Sequence, residues 1–356
     1  MNVLITVPDL SNPGGVSALY NILKLNQYKN IEYFNVQGKK GQGIISRIYN
    51  LWLSYLIFFF KCFSFDIVHV NPSFNKKSFY RDGIYIIISR ILGKKVVVYW
   101  HGWDTEFQET VKSGKFSYFF FKLSYKPAHL HIVLGSVFKD QLVGLKITEK
   151  MIVIESNSAD DSFLKENQLI KKDKKNRIEL LFIARIEKQK GIMIVLDTMK
   201  ILNEKGNYIL KIAGDGPLLN AAKRKVQIEQ ILNVDFLGQI NGVDKHNAFS
   251  SSKILFFPTY HPEGMPISII EGILYGLVIV SRPVGGISDW VKVPANGVLT
   301  DSLDPKEYAA LIDTLCADKE KMNQIEVTNK EYAQSYFTPN SLTNRLLTYY
   351  SNLMPE

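Results

Sequence analysis

Two glutamates, Glu263 and Glu271, stand eight positions apart in a segment that predicts a loop leading into a helix. A short apolar run before them is typical of a buried strand. Pro266 suits the first helical position, because its missing N–H would have no partner there. The amides of Gly264, Met265 and the residues after them would then form a partly positive helix N-terminus that binds anions. Two carboxylates beside such a site favour a ligand with both a phosphate and sugar hydroxyls, as in a nucleotide-sugar.

Basic residues occupy a second predicted strand-to-helix turn. The strand predicted at 178–184 is followed by Arg185 and then, where another helix starts, by Lys190 and Gly191. Two cations held beside a helix N-terminus would stabilise a diphosphate leaving group as its bond to a sugar breaks. The alternative interpretation is a solvated basic turn.

Glycines mark the turns after the next two strands. The strand predicted at 208–213 runs into Gly214 and Gly216, and Gly238 ends the following one. Glycine lets the backbone turn sharply and approach a ligand closely. Turns of this composition also occur for folding reasons alone.

The first half of the chain contributes two glycines and a histidine. Gly14 and Gly15 open a helix after the first predicted strand, and His101 follows the strand predicted at 95–99. Ligands of open α/β sheets bind beyond the carboxyl ends of the strands, which favours a site role for His101. A flexible turn and a packed imidazole are the alternatives. His69, on a strand itself, is predicted to be structural, and His129, His131 and His246 have no metal-ligand spacing with a nearby cysteine or acid.

Short apolar runs alternate with longer helical patterns along the whole chain, which predicts parallel sheets with crossover helices. The predicted strands are 2–7, 67–70, 95–99, 130–134, 151–154, 178–184, 208–213, 235–237, 254–258 and 277–281. A lysine-rich stretch at 165–177 is predicted to link two such arrays.

Taken in chain order, these motifs resemble those of retaining glycosyltransferases of the GT-B fold, family 4 (glycosyl transferases group 1). The resemblance covers nearly the whole chain and implies an α/β fold with two Rossmann-like, doubly wound domains facing across a cleft. It implies an acceptor-side domain at 1–170, a nucleotide-sugar-binding domain at 171–338, and a C-terminal helix at 339–356 that crosses back to the first domain. Ala184 and Val278 depart from the family pattern, where glycine and proline are usual.

The resemblance also assigns roles to the residues. It puts Glu263 at the donor sugar, Glu271 at the ribose, Arg185 and Lys190 at the pyrophosphate, and His101 near the reacting centre. The other donor-binding positions that it implies are Gly14, Gly15, Gly214, Gly216, Gly238, Gly264, Met265 and Pro266. No cofactor or metal is expected, because basic side chains and helix dipoles hold the diphosphate.

The implied activity is retaining transfer of a hexosyl unit from an NDP-sugar, UDP- in preference to GDP-. The implied acceptor is a hydroxyl of a glycan or lipid-linked oligosaccharide in bacterial surface polysaccharide synthesis, such as capsule or lipopolysaccharide. The alternatives are a non-catalytic GT-B-like partner protein and a nucleotide-sugar epimerase on the same fold. No recognisable nucleic-acid-binding module is present, so nucleic acid is not expected as a partner.

Positive charge is concentrated in residues 1–150, which hold 19 Lys and Arg against 9 Asp and Glu. Two segments there, 44–63 and 116–126, combine aromatic residues with lysines and predict either interfacial or buried helices. The charge favours peripheral contact with an anionic membrane. Neither a membrane span nor a signal peptide is predicted, and the two cysteines fit a reducing compartment. We therefore expect a cytoplasmic protein, peripheral on the inner face of the cell membrane.

Overall fold

The computed structural model describes residues 1–12, 14–36, 43–165, 177–261 and 264–354. Contacts divide the chain into two compact units, one formed by Met1–Ser158 with Pro339–Glu356 and the other by Ala159–Thr338. The predicted domain boundary after residue 170 and residues 166–176 of the predicted linker lie outside the described residues.

The first unit is an α/β array. Its strands are β1 (Val3–Val7), β2 (Ile31–Asn35), β3 (Ile67–Val70), β4 (Ser73–Phe74), β5 (Lys95–Tyr99), β6 (Gly102–Trp103), β7 (Leu130–Val133) and β8 (Ile152–Ile154). Its helices up to residue 158 are α1 (Gly15–Leu23), α2 (Ile44–Cys62), α3 (Lys76–Ile91), α4 (Thr105–Ser113), α5 (Lys115–Leu123) and α6 (Ser136–Gly144).

The main sheet of this unit is parallel and has the strand order β2-β1-β3-β5-β7-β8. Its inner strands are mostly apolar, with Thr6, His69 and His131 as buried polar exceptions, and Val68 and Val97 are fully buried, as expected for a sheet with helices on both faces. The strand order reverses between β1 and β3. The short strands β4 and β6 pair with each other and join the chain segments that follow β3 and β5.

The second unit repeats the α/β pattern. Its strands are β9 (Ile178–Ile183), β10 (Tyr208–Ala213), β11 (Val234–Gly238), β12 (Ile254–Phe257), β13 (Val278–Ser281) and β14 (Gly297–Leu299). Its helices are α7 (Ser162–Lys165), α8 (Ile192–Asn203), α9 (Leu219–Ile228), α10 (Gly242–Ser251), α11 (Ile267–Leu274), α12 (Ile287–Trp290), α13 (Pro305–Ala317) and α14 (Lys319–Tyr336). The last helix, α15 (Pro339–Asn352), belongs to the first unit.

The second sheet is also parallel, with the order β11-β10-β9-β12-β13-β14. The strand order reverses between β9 and β12. The turns after these two strands therefore lead away from each other and leave a crevice at the carboxyl edge of the sheet. Leu181 and Phe256 are fully buried in the two central strands. The prediction of two parallel α/β arrays is confirmed.

The segment predicted at 44–63 forms the helix α2, which is buried on one side only. Phe58 and Cys62 are fully buried in the core of the first unit, whereas Trp52 is 69% exposed. The prediction of a helix is confirmed, but the buried-helix alternative holds for only one face. Within the described residues, no helix is long and apolar enough to cross a membrane.

Candidate functional site

The carboxyl edge of the second sheet holds a cavity of about 550 Å³. The turns after β9, β10 and β11 line it, and so do three of the predicted residues, Arg185, Gly214 and Gly216. A lysine of α10, Lys245, lines the same cavity. The volume is in the range of small-molecule sites, roughly 300–1,000 Å³.

The backbones of these turns pack directly on one another. Gly214 has a φ of +134°, and a Cβ atom there would collide with the carbonyl oxygen of Ala184. Its amide donates a hydrogen bond of 2.7 Å to the carbonyl of Gly238. Gly214 is therefore required by the turn itself, and Gly238 is fixed to the same turn.

The two predicted cations differ in how they are held. The Arg185 side chain is 69% exposed, with its Nε 3.6 Å from a carboxylate oxygen of Glu187. Lys190 is half-buried, and its Nζ lies 5.9 Å from the centre of the Phe257 ring, at the end of β12. Gly191, with a φ of +84°, allows the Lys190 turn to pack against the backbone of Pro258. Both cations thus lie at the carboxyl edge of the sheet.

Glu271, on α11, forms an ion pair with the cavity residue Lys245, with 2.5 Å between Oε1 and Nζ. The Glu271 side chain is only 12% exposed. Burial raises the pKa of Glu271, and Asp160 raises it further, while Lys245 opposes both effects. The structure therefore connects Glu271 to the cavity through Lys245. Sequence reasoning missed this lysine, because nothing in the sequence of α10 distinguishes it from a solvated one.

The segment from Gly264 to Pro266 leads into α11, as predicted. The helix starts at Ile267, one residue later than predicted, so Pro266 is the residue that caps it and not its first residue. Proline is still compatible with this position. Its extended ψ of 127° is typical of a capping residue, and the helix loses no hydrogen bond because of the missing N–H. The carbonyl of Gly264 accepts a hydrogen bond of 2.9 Å from Gly286, and Met265 is buried. Glu263 lies outside the described residues.

In the first unit, Gly14 and Gly15 line a polar cavity of about 300 Å³ at the carboxyl edge of the first sheet. Asn71, after β3, and Arg81, on α3, line it as well. A Cβ atom at Gly15 would meet no atom within 4 Å, so the space beside this glycine is open to a ligand.

His101, predicted to lie near the reacting centre, follows β5 at the same edge. Its Nε2 lies 2.8 Å from Oδ1 of Asn71. The ring is partly exposed, but burial and the nearby His69 lower its pKa to about 3. The lowered pKa favours a neutral His101 ring at physiological pH, which can both donate and accept hydrogen bonds.

Two further observations concern metal ligands and a second cavity. Among the described residues, no three His, Cys, Asp or Glu side chains converge to hold a metal ion. A separate cavity of about 430 Å³ opens at the amino ends of the second sheet, beside Ile178 and Val278. Ligands of open α/β sheets bind at the carboxyl edge, which singles out the cavity of Arg185 and Lys245 as the donor-site candidate.

Comparison with known proteins gives a family and a fold. Residues 164–332 match the family described as Glycosyl transferases group 1. The chain is 25% identical over 274 residues to an uncharacterized glycosyltransferase of Methanocaldococcus jannaschii, MJ1069, an alignment that covers 74% of this chain and 69% of that protein.

Two solved structures share the fold over the whole chain. Anabaena HepE, in complex with UDP and glucose, is 16% identical with a TM-score of 0.72, and 99% of each chain is covered. The lipopolysaccharide outer core galactosyltransferase WaaB is also 16% identical, with a TM-score of 0.68 over 99% of this chain and 100% of that chain. The predicted GT-B fold is confirmed.

Proposed function

Because this chain belongs to the glycosyl transferases group 1 family through residues 164–332 and has the GT-B fold, we propose that it is a retaining hexosyltransferase. It moves a hexosyl unit from a UDP-sugar to a hydroxyl of a glycan or lipid-linked oligosaccharide. The pathway it serves is the synthesis of a bacterial surface polysaccharide, capsule or lipopolysaccharide.

The observation that carries this proposal is the cavity at the carboxyl edge of the second sheet. It combines a glycine turn with Arg185 and Lys245, and Lys245 pairs with the buried Glu271. Long cationic side chains suit the donor's diphosphate, and a carboxylate suits the paired hydroxyls of a ribose. Lys190 adds a second predicted cation at the same edge, near the end of β12.

The proposed reaction takes place at C1 of the donor sugar. The bond between C1 and the phosphate oxygen breaks, and UDP leaves with the electron pair. The acceptor oxygen bonds to C1 on the face that UDP leaves, and its proton passes to a phosphate oxygen of the leaving group. Arg185 and Lys190 stabilise the negative charge that develops on the diphosphate. Glu263 orients the sugar and Glu271 the ribose.

The choice of donor and pathway draws on the two structural relatives. HepE was solved with UDP and glucose, and WaaB is a galactosyltransferase of the lipopolysaccharide outer core. Both names concern a hexose or its transfer, which supports a UDP-hexose donor here. The second name supports a surface polysaccharide as the product.

Contact with an anionic membrane would bring the enzyme to a lipid-linked acceptor, and the surface of α2 supports it. Five large apolar residues recur at helical spacing along one face of α2, and each is between 54% and 85% exposed: Ile45, Ile48, Trp52, Leu56 and Phe60. We call this set the apolar face of α2. Such a face, in a unit whose first 150 residues carry a net charge of +10, fits the interface of an anionic leaflet.

Donor turnover and donor binding test the proposal together. Purified protein is incubated with a panel of UDP- and GDP-sugars, while release of nucleotide and the thermal unfolding midpoint are measured. Glu271→Ala and Lys190→Ala are measured beside the wild type. We expect one UDP-hexose to stabilise the wild type and to be hydrolysed slowly, with both effects weakened in the two variants. Proton NMR of the released sugar should show the anomer of the donor first.

Four other results would overturn the proposal. Stabilisation by GDP-sugars but not by UDP-sugars would contradict the proposed UDP-sugar donor. Release of the opposite anomer would reject retention. Conversion of the donor into an epimer without nucleotide release, or no response to any nucleotide-sugar, would favour an epimerase or a non-catalytic partner protein.

A further inference from the structure

A lysine and a glutamate form an ion pair beside the cavity at the carboxyl edge of the second sheet. Lys245, on α10, lines the cavity, and its Nζ lies 2.5 Å from Oε1 of Glu271, on α11. The side chain of Lys245 is 32% exposed and that of Glu271 is 12% exposed. Within the described residues, neither side chain forms a second ion pair or hydrogen bond. The pair therefore has polar atoms left for a ligand.

These remaining atoms include both donors and an acceptor. An ammonium group carries three hydrogens, and Lys245 uses one of them on Oε1 of Glu271. Oε2 of Glu271 accepts no hydrogen bond from a described residue. The buried side-chain atoms that lack a partner in the described part of the chain do not include this oxygen, so it is accessible to solvent. Nζ thus offers hydrogens beside an oxygen that offers lone pairs.

The charges of the two side chains largely offset each other, because they lie 2.5 Å apart. Arg185, which lines the same cavity, is in a different position. Its side chain is 69% exposed, and its Nε lies 3.6 Å from a carboxylate oxygen of Glu187. Arg185 therefore keeps more of its charge for a diphosphate, whereas the pair of Lys245 and Glu271 suits a neutral polar group.

Buried contacts between α10 and the end of α11 hold the pair in place. Nδ1 of His246 lies 2.8 Å from the hydroxyl oxygen of Tyr275, the residue directly after α11. The rings of Phe249 and Tyr275 stack with their centroids 5.3 Å apart. His246 and Phe249 are at most 3% exposed. Because His246 is the neighbour of Lys245 and Tyr275 lies one helical turn after Glu271, helix packing sets the distance between the paired side chains.

A donor next to an acceptor matches two neighbouring hydroxyl groups. Each hydroxyl has one hydrogen to donate and lone pairs with which to accept. One hydroxyl can donate to Oε2 of Glu271 while the oxygen of its neighbour accepts from Nζ of Lys245. The 2′- and 3′-hydroxyls of a ribose are such neighbours. A deoxyribose would leave one group of the pair without a partner, which lowers affinity.

We propose that Lys245 is a specificity-determining residue: positioned by Glu271, it donates hydrogen bonds to the ribose hydroxyls and selects ribonucleotides over deoxyribonucleotides. The inference rests on the proposed function, which places the ribose at Glu271. It adds Lys245 to that contact and gives Glu271 a second task, since Oε1 holds the lysine while Oε2 binds a hydroxyl. A purely structural ion pair would not make affinity depend on either hydroxyl.

Calorimetric titration of the wild type tests the selection without any variant. The full-length protein is titrated with UDP, 2′-deoxy-UDP and 3′-deoxy-UDP. We expect each deoxy analogue to bind roughly tenfold more weakly than UDP, because one charged group of the pair loses its hydrogen bond. Equal affinity for the three nucleotides would overturn the inference and leave the proposed function standing. If UDP does not bind at all, the proposed donor is rejected and the inference fails with it.

Lys245→Met separates recognition from structural support. We expect the variant to bind UDP about as weakly as it binds the deoxy analogues, with the three affinities within about threefold of one another. If the pair only supports the fold, all three affinities should fall by the same factor and the preference of the wild type should remain. That result would overturn the inference.

Glu271→Gln keeps the shape of the side chain and serves as a second variant if Lys245→Met does not fold. It should also reduce the preference for UDP over the deoxy analogues, because Lys245 loses the carboxylate that positions it. An unchanged preference in Glu271→Gln would contradict the positioning role.

Lys211→Met is the matched control for both variants. Lys211 forms an ion pair with Glu179 at the same distance of 2.5 Å, and the two side chains are 20% and 18% exposed. Lys211 is not among the described residues that line the cavity. Lys211→Met should therefore keep the affinities of the wild type for all three nucleotides. The same loss of preference in this control would mean that breaking any comparable pair disturbs the cavity, and the role of Lys245 would be rejected.

Discussion

The carboxyl edges of the two sheets use polar side chains in opposite ways. At the second edge the groups are charged and reach the cavity or solvent, as with Arg185 and Lys245. At the first edge Arg81 also lines a cavity, but beside it the hydrogen-bonded side chains of His69, Tyr20 and Asn71 are at most 8% exposed. Exposed cations adapt to a diphosphate, whereas a buried neutral network holds one orientation. The second edge therefore presents exposed cations, and the first edge combines a cation with nearly buried hydrogen-bonding groups.

The largest effect is expected from a cation of the second edge. Lys190→Ala should lower turnover of the best donor by about 10²–10³-fold, because the leaving diphosphate loses a fixed positive charge. Nucleotide release under saturating donor measures this. Lys188→Ala is the matched control, since Lys188 belongs to the same turn and is exposed. Equal losses in the two variants would mean that the turn contributes only general positive charge.

The glycines of the two edges should differ in their effect on stability. Gly214→Ala should lower the free energy of unfolding by about 3 kcal/mol, because φ is +134° and the new Cβ meets the Ala184 carbonyl. Gly15→Ala should change it by less than about 1 kcal/mol, since the Cβ there meets nothing within 4 Å. Urea unfolding measures both. A similar loss at the two positions would remove the distinction between a structural and an open glycine.

Breaking the ion pair between Lys245 and Glu271 should lower the free energy of unfolding by an amount that depends on pH. Lys245→Met leaves Glu271 buried without its cation and should cost about 2 kcal/mol at pH 7, less than for a fully buried pair because Lys245 is partly exposed. Burial already raises the pKa of Glu271 above 4.5, and loss of Lys245 raises it further. The folded state then takes up the proton before the unfolded state does, so the loss should shrink as the pH falls towards 4.5.

Urea unfolding of Lys245→Met across this pH range measures the effect. Lys200→Met is the control, since Lys200 is 50% exposed and pairs with Glu229 on the surface. It should change stability by less than about 1 kcal/mol. A loss in Lys245→Met that stays constant with pH would show that Glu271 does not depend on Lys245.

The smallest effect concerns the outer surface of the first unit. Trp52→Glu places a charge in the apolar face of α2 and should lower binding to phosphatidylglycerol-containing vesicles roughly tenfold, since partial burial of a tryptophan contributes about 1–3 kcal/mol. Vesicle sedimentation measures the bound fraction. Ile228→Glu alters a residue of the second unit that is 79% exposed and should bind as the wild type does. Equal binding to neutral phosphatidylcholine vesicles would contradict a role for charge.

The sequence predicted the inner strands well and missed two at the edges. The bounds of β3, β5 and β10 agree with the predicted ones, because a parallel strand buried on both faces is a mostly apolar run, even where His69 or Lys211 interrupts it. The edge strand β2 was missed, since it carries the exposed Glu32 and Asn35. The other edge strand, β14, spans only three residues and has no pattern to detect.

The sequence could predict only those site residues that stand in a recognisable short motif within a single turn. Arg185 and Gly214 could be found in this way, because each stands in a short motif directly after a strand. Lys245 and Asn71 could not, because their partners come from other strands and helices. Lys245 becomes part of the site through Glu271, and Asn71 through Thr6, Tyr20 and His101. Such contacts follow from the packing of whole elements, which a single sequence does not specify.

The most direct test of the account is a calorimetric titration of UDP into the wild type, Lys190→Ala and His101→Gln. If the diphosphate binds at the carboxyl edge of the second sheet, the wild type and His101→Gln should bind UDP equally, and Lys190→Ala should bind it at least about tenfold more weakly. Equal binding by all three proteins, or loss of binding in His101→Gln alone, would contradict a diphosphate site at the carboxyl edge of the second sheet.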